Sequence, residues 1–112
     1  MKRTVWIVPH THYDAEVFME EPETLELGYA NIMGALRLLR AHPEYRFALD
    51  QTCYIEPFLN AYPEERPFFQ EMVDEGRLEI TCGMYCMLDV NIPSGESFIR
   101  QVLYGKEYAL RA

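Results

Sequence analysis

Thr4-Val5-Trp6-Ile7-Val8-Pro9-His10-Thr11-His12-Tyr13-Asp14 joins a short apolar run to three side chains of metal-ligand type. An unbroken apolar run of this length, closed by proline, reads as a buried strand near residues 4–9. Side chains alternate along extended chain, which puts His10, His12 and Asp14 on one face at the C-terminal end of the strand. Positions two apart lie roughly 6–7 Å from one another, and ligand bonds of about 2 Å allow them to converge on one ion. The C-terminal ends of parallel strands are also where α/β proteins bind ligands. A plainer reading stays open: two histidines that end a strand, with an aspartate in the following turn.

The remaining composition narrows the function classes. The chain has 112 residues, enough for one small domain or a piece of a larger one, and 49% of them are hydrophobic. Lys plus Arg number 10 against 18 Asp plus Glu, a net charge of −8. That balance opposes phosphate neutralisation and so argues against nucleic acid and anionic membrane surfaces. No apolar run approaches the ~20 residues that a membrane-spanning helix needs. The opening Met1-Lys2-Arg3 leads into a run too short for a signal peptide. Cys53, Cys82 and Cys86 are odd in number and lack a framework spacing, which makes a reducing cytoplasm the default setting. Cys82 and Cys86 read as core thiols, with a thiolate metal pair as the alternative.

Periodicity alternates along the chain. After an acidic loop around Glu20-Glu21-Pro22, apolar residues at Leu25, Tyr29, Ile32, Met33, Leu36 and Leu39 form one helical stripe ending near His42-Pro43. Residues 46–51 read as a second strand. A broken helix follows over 54–61 and 63–75, with Pro63 in a first turn and Gly76 at a helix C-terminus. Residues 77–82 read as a third strand. Ser94 is placed to cap a last helix with Glu96 in its first turn and Ile99, Val102 and Leu103 as its stripe. Strand–helix alternation of this kind implies right-handed βαβ units and parallel strands in 1-2-3 order.

Each strand ends in polar residues: His12 and Asp14, then Asp50-Gln51, then Asp89 beyond the third. Asp50 reads equally as a turn or cap residue. Asp89 lies in the largely uncharged Gly83-Met84-Tyr85-Cys86-Met87-Leu88-Asp89-Val90-Asn91, where a buried carboxylate calls for a partner or a cation. It is read either as a third metal ligand or nucleophile, or as a turn aspartate.

At this point the residues resemble a family. His10-Thr11-His12-Tyr13-Asp14-Ala15-Glu16 is similar to the HTHWDREW opening of glycoside hydrolase family 38, the zinc-dependent α-mannosidases. Phe47-Ala48-Leu49-Asp50-Gln51 and Val73-Asp74-Glu75-Gly76-Arg77-Leu78-Glu79-Ile80 follow in order. Leu88-Asp89-Val90-Asn91-Ile92-Pro93-Ser94-Gly95-Glu96-Ser97-Phe98-Ile99-Arg100-Gln101 is similar to the family's D-x-N-x-P-S-G-E-S-x-x-R-Q. The resemblance covers essentially the whole chain. It implies a parallel βαβαβα segment, the first three units of a (β/α)7-type barrel, with residues 1–112 as an N-terminal fragment of the catalytic domain.

The resemblance also implies a mechanism. His12, Asp14 and Asp89 would bind Zn2+, and Asp89 would be the nucleophile of a retaining glycosidase acting on α-mannosides or mannose-containing oligosaccharides. His10, Tyr13 and Asp50 are candidates to support the ligands or touch the substrate. Tyr13 stands where the family has tryptophan, Ala15 where it has arginine and Val17 where it has the second tryptophan, so sugar preference stays open. The family's fourth zinc ligand and its general acid lie beyond residue 112, and His42, at a predicted helix end, is no replacement. An open sheet edge is therefore expected, covered by the rest of the domain or by a second copy, and little activity from the chain alone. Two other readings are carried forward: a metal-dependent deacetylase of polysaccharides, and a non-catalytic remnant or partner subunit.

Overall fold

The computed structural model describes residues 2–12, 21–81 and 83–111, so Tyr13, Asp14 and Cys82 lie outside the described residues. Two short strands, β1 (Phe47–Leu49) and β2 (Leu78–Ile80), pair in parallel with Phe47 opposite Leu78 and Leu49 opposite Ile80. On the other side of β1, Ala48 N–H donates to Pro9 O at 3.0 Å and Thr11 N–H to Ala48 O at 3.2 Å. The resulting parallel bridge between His10 and Ala48 sets the lateral order as N-terminal segment, β1, β2. This α/β arrangement in 1-2-3 order is the one the alternating pattern predicts.

The first strand itself differs from expectation. Residues 2–9 adopt no strand and only His10 bridges, two residues beyond the apolar run. Val5, Trp6, Ile7 and Val8 are between 68% and 86% exposed. A strand apolar on both faces gains its stability from cover on both faces, and no described element covers this one. The other two strands are shorter than the predicted spans 46–51 and 77–82 for the same reason: a three-lane sheet with open edges supports little regular pairing. The described elements form an open arrangement, not a closed barrel.

Helix α1 (Glu21–Ala41) begins earlier than the pattern suggests, taking Glu21 and Pro22 out of the acidic loop. Pro22 falls in the first turn, where its missing N–H costs no helical bond. Its most buried line runs Thr24, Gly28, Ile32, Leu36 and Leu39, with Leu25, Tyr29 and Met33 half-buried beside it. Gly28 is needed there because a Cβ would sit 2.8 Å from the Tyr54 ring. The C-terminal carbonyls of α1 are closed by Arg77, whose Nη2 donates to Leu39 O and His42 O, both at 2.7 Å. A cation at this end of a helix satisfies orphan carbonyls and opposes the macrodipole.

The broken helix resolves into α2 (Ile55–Ala61), a 3₁₀ turn (Pro63–Glu65) and α3 (Arg66–Asp74). Gly76, at φ +65°, ends α3 with Gly76 N–H donating to Val73 O and Arg77 N–H to Met72 O, a Schellman closure. Ile55, Phe58 and Leu59 of α2 and Phe69 and Met72 of α3 meet Ile32, Leu36 and Leu39 of α1 under Leu49 and Leu78. Tyr29, Phe58 and Tyr62 make edge and tilted ring contacts within this cluster.

Helix α4 (Gly95–Ala109) is capped as predicted, with Ser94 Oγ accepting from Ser97 N–H at 3.2 Å. Its expected stripe is displaced. Ile99 and Leu103 are 56% and 60% exposed, and the side turned inward carries Gln101, Val102, Gly105 and Tyr108. Of the predicted stripe only Val102 turns inward, and Ile99 and Leu103 have no cover among the described residues.

Candidate active site

The strand order brings the three C-terminal ends side by side. Beyond the bridge at His10, Thr11 Oγ1 donates to Asp50 Oδ1 at 2.8 Å, and Asp50 N–H points back to Thr11 Oγ1 at 3.4 Å. These bonds tie the His-Thr-His segment to the end of β1. Beyond β2, Thr81 N–H donates to Leu49 O at 2.9 Å and leads the chain into residues 83–94.

His12 is largely exposed and its Nδ1 stands 3.9 Å from Asp50 Oδ2. Asp50 is 9% exposed, and its Oδ2 is buried with no hydrogen bond among the described residues. His10 contacts the Thr11 carbonyl through Nδ1 at 2.6 Å, and His10 and His12 border the same groove beside Ala30 and Gly34 of α1.

The segment that carries Asp89 is fastened at several points. Gln51 Oε1 accepts from Met87 N–H at 3.1 Å and from the Cys86 thiol at 3.4 Å, with the Cys53 thiol at 3.9 Å. Thr52 Oγ1 reaches Met84 O, and the Thr52 and Cys53 amides both donate to Tyr85 O. From the other side, Tyr85 N–H donates to Gln101 O and Cys86 N–H to Gln101 Oε1 at 2.8 Å. Helix α4 comes so close here that a Cβ on Gly105 would lie 2.3 Å from Met84 C and 2.4 Å from Tyr85 N. The neighbouring Cys86 thiol and burial push the Cys53 thiol well above the ordinary cysteine range.

Asp89 itself is exposed, which corrects the expectation of a carboxylate stranded in an apolar segment. Its Oδ1 accepts the Asn91 amide at 3.0 Å, an Asx turn that leads into the Ser94 cap. Gln51, Thr52, Gln101 and Gly105, which hold this segment, were missed in the sequence. A glycine inside a helical pattern is the one signal that pointed to such a close approach.

In kind, the donors suit a zinc-type cation. An imidazole stands next to a buried carboxylate oxygen that has no hydrogen bond among the described residues, and such an oxygen calls for a cation or a proton donor. The described residues contain no group of three or more His, Cys, Asp or Glu arranged to hold a metal; Asp14 lies outside them. None of the described helices is long and apolar enough to cross a membrane.

Comparison with known proteins agrees with the resemblance. Residues 2–112 match the family described as "Glycosyl hydrolases family 38 N-terminal domain". Alpha-mannosidase G of Dictyostelium discoideum is 32% identical over 104 residues, covering 93% of this chain and 10% of that protein. Alpha-mannosidase 2C1 of Homo sapiens is 29% identical over 110 residues, covering 98% of this chain and 11% of that protein. Among solved structures, an alpha-mannosidase from Enterococcus faecalis V583 superposes with a TM-score of 0.83 at 27% identity, covering 93% of this chain and 12% of the other. The chain thus spans about a tenth of the length of these relatives, and it belongs to glycoside hydrolase family 38, within that family's N-terminal domain.

Proposed function

We propose that these residues are the opening segment of a retaining, zinc-dependent α-mannosidase catalytic domain, inactive without the remainder of that domain. The observation that carries the reading is the family match across residues 2–112, which takes in both the HxHxD segment and the Asp89 motif. His12, Asp14 and Asp89 would hold the zinc, which supplies a grip on adjacent sugar hydroxyls and so fixes the ring. Asp89 attacks the anomeric carbon opposite the leaving group and forms a glycosyl ester; water then releases the sugar with net retention. An exposed carboxylate at the start of an Asx turn suits this task, since sugar must reach it from solvent. The Gln51, Thr52 and Gln101 bonds hold the carboxylate's segment in place, as attack geometry requires.

The general acid comes from outside these residues, as do further zinc ligands. The exposed Val5–Val8 run and the uncovered face of α4 are where the rest of the domain would pack, and the thiols of Cys53 and Cys86 suit a reducing cytoplasm. Tyr13, with His10, would line the sugar site.

The test is hydrolysis of an aryl α-mannoside by a catalytic domain containing these residues, alongside the 112-residue chain. The domain should turn over the mannoside and lose turnover as Asp89→Asn, and the chain alone should be inert. Acetate release from an acetylated sugar, with the mannoside untouched, would favour the deacetylase reading.

A further inference from the structure

We propose that Asp50 is the positioning residue for His12: its buried Oδ2 receives the His12 Nδ1 proton and so presents Nε2 to the metal. The inference rests on the metal-ligand reading of His12 and deepens it. The sequence offers Asp50 only as one of three candidates to support the ligands or touch the substrate, and the geometry gives it one task and one partner.

Three observations converge. The parallel bridge between His10 and Ala48 puts His12 and Asp50 at equivalent places, two residues beyond the paired residues on adjacent lanes. Thr11 Oγ1 occupies Asp50 Oδ1 at 2.8 Å, which fixes the carboxylate plane and leaves Oδ2 as the oxygen on offer. Oδ2 is buried, takes no hydrogen bond among the described residues, and lies 3.9 Å from His12 Nδ1. At that separation the two are not yet hydrogen-bonded, and a closure of about 1 Å would bring them to hydrogen-bond distance.

A carboxylate oxygen left without a donor in a buried position carries a large desolvation cost, so a ring N–H is the partner that removes it. The consequence for His12 is a fixed tautomer. An imidazole that donates through Nδ1 has its lone pair at Nε2, and a carboxylate behind it raises its basicity toward a cation. The arrangement also explains why a charged residue stands at the buried end of β1, where Leu49 and Thr52 on either side are buried. Thr11 then has its own task, as the clamp that turns Asp50 toward the histidine.

The test uses the purified chain with Asp50→Ala and Asp50→Asn, the second keeping size and a partner for Thr11. Long-range ¹H–¹⁵N spectra of the metal-free protein at pH 8.5 read the His12 tautomer, and competition with a chelator reads zinc affinity. The wild type should show the Nδ1–H form. Both variants should shift toward Nε2–H and bind zinc about 10- to 100-fold more weakly, with amide spectra otherwise preserved. An Nε2–H tautomer in the wild type, or variants equal to it in both readouts, would overturn the role of Asp50. No zinc binding by the wild type, with the Nδ1–H tautomer present and lost in the variants, would overturn the metal reading and leave the Asp50–His12 pairing standing.

Discussion

Replacing Gly105 with alanine should unfold the region that carries Asp89, and the size of the effect follows from three distances. The new Cβ would sit 2.3 Å from Met84 C, 2.4 Å from Tyr85 N and 2.6 Å from Gly83 O, all backbone atoms with no side-chain freedom to yield. Ordinary carbon contacts begin near 3.5 Å, so α4 and residues 83–85 must separate by about 1 Å or more. That movement stretches the Tyr85 amide bond to Gln101 O, 2.9 Å long, and the Cys86 amide bond to Gln101 Oε1, 2.8 Å long. Two lost hydrogen bonds at about 1 kcal/mol each, plus about 1–3 kcal/mol for overpacking, give a destabilisation of about 3–5 kcal/mol. Small domains hold only about 5–15 kcal/mol in all, so the loss should be visible as early melting in urea or heat followed by circular dichroism. Gly34→Ala is the matched control. It is also a helix-interior glycine, but nothing lies within 4 Å of its Cβ position, so it should stabilise by about 0.5–1 kcal/mol. Gly105→Ala within about 0.5 kcal/mol of wild type would refute the close approach of α4 as a structural requirement.

Arg77→Met should cost about 2–4 kcal/mol in urea unfolding, because two charge-assisted bonds to Leu39 O and His42 O are lost and the α1 carbonyls are left open. Ser94→Ala should cost about 1 kcal/mol by removing the cap at the Ser97 amide, without moving the spectra of α1. Stability should fall at alkaline pH. The Cys53 thiol is raised above its ordinary 9.0 by Cys86 and by burial, and the Tyr108 hydroxyl is pushed up from 10.0 to about 12 by burial and by Glu56. Each folded group holds its proton more tightly than the unfolded one, so the stabilisation is complete below pH 9 and declines above it as the unfolded chain ionises first. Cys53→Ala with Tyr108→Phe should flatten that decline, and an unchanged alkaline limb would contradict both assignments.

The alternation of apolar runs and helical stripes carried most of the architecture: parallel pairing, its order, the α3 stop at Gly76 and the Ser94 cap were legible because each is written in local residues. The first strand and the α4 stripe were misplaced for a shared reason. Val5–Val8, Ile99 and Leu103 are patterned for burial against partners that no described residue supplies, and periodicity says that a face wants cover without saying what covers it. At the site, strand-end placement is a local rule, and it put His10 and His12 where the structure has them, beside the end of β1. Asp50 read as evenly balanced between cap and ligand support, since its neighbours on the adjacent lane come from 39 positions earlier in the chain. Gln51 and Gln101 were illegible for the same reason: nothing in either stretch announces that both reach one backbone segment between Tyr85 and Met87.

The central claim is that Asp89 is the nucleophile of an α-mannosidase, and the most direct measurement is covalent trapping. A catalytic domain containing these residues, treated with a slow fluorinated mannosyl fluoride, digested and read by mass spectrometry, should carry one sugar on the peptide that holds Asp89. That mass should vanish in Asp89→Asn, since an amide forms no glycosyl ester. A stable sugar adduct on any other carboxylate, or full mannoside turnover by Asp89→Asn, would contradict the account.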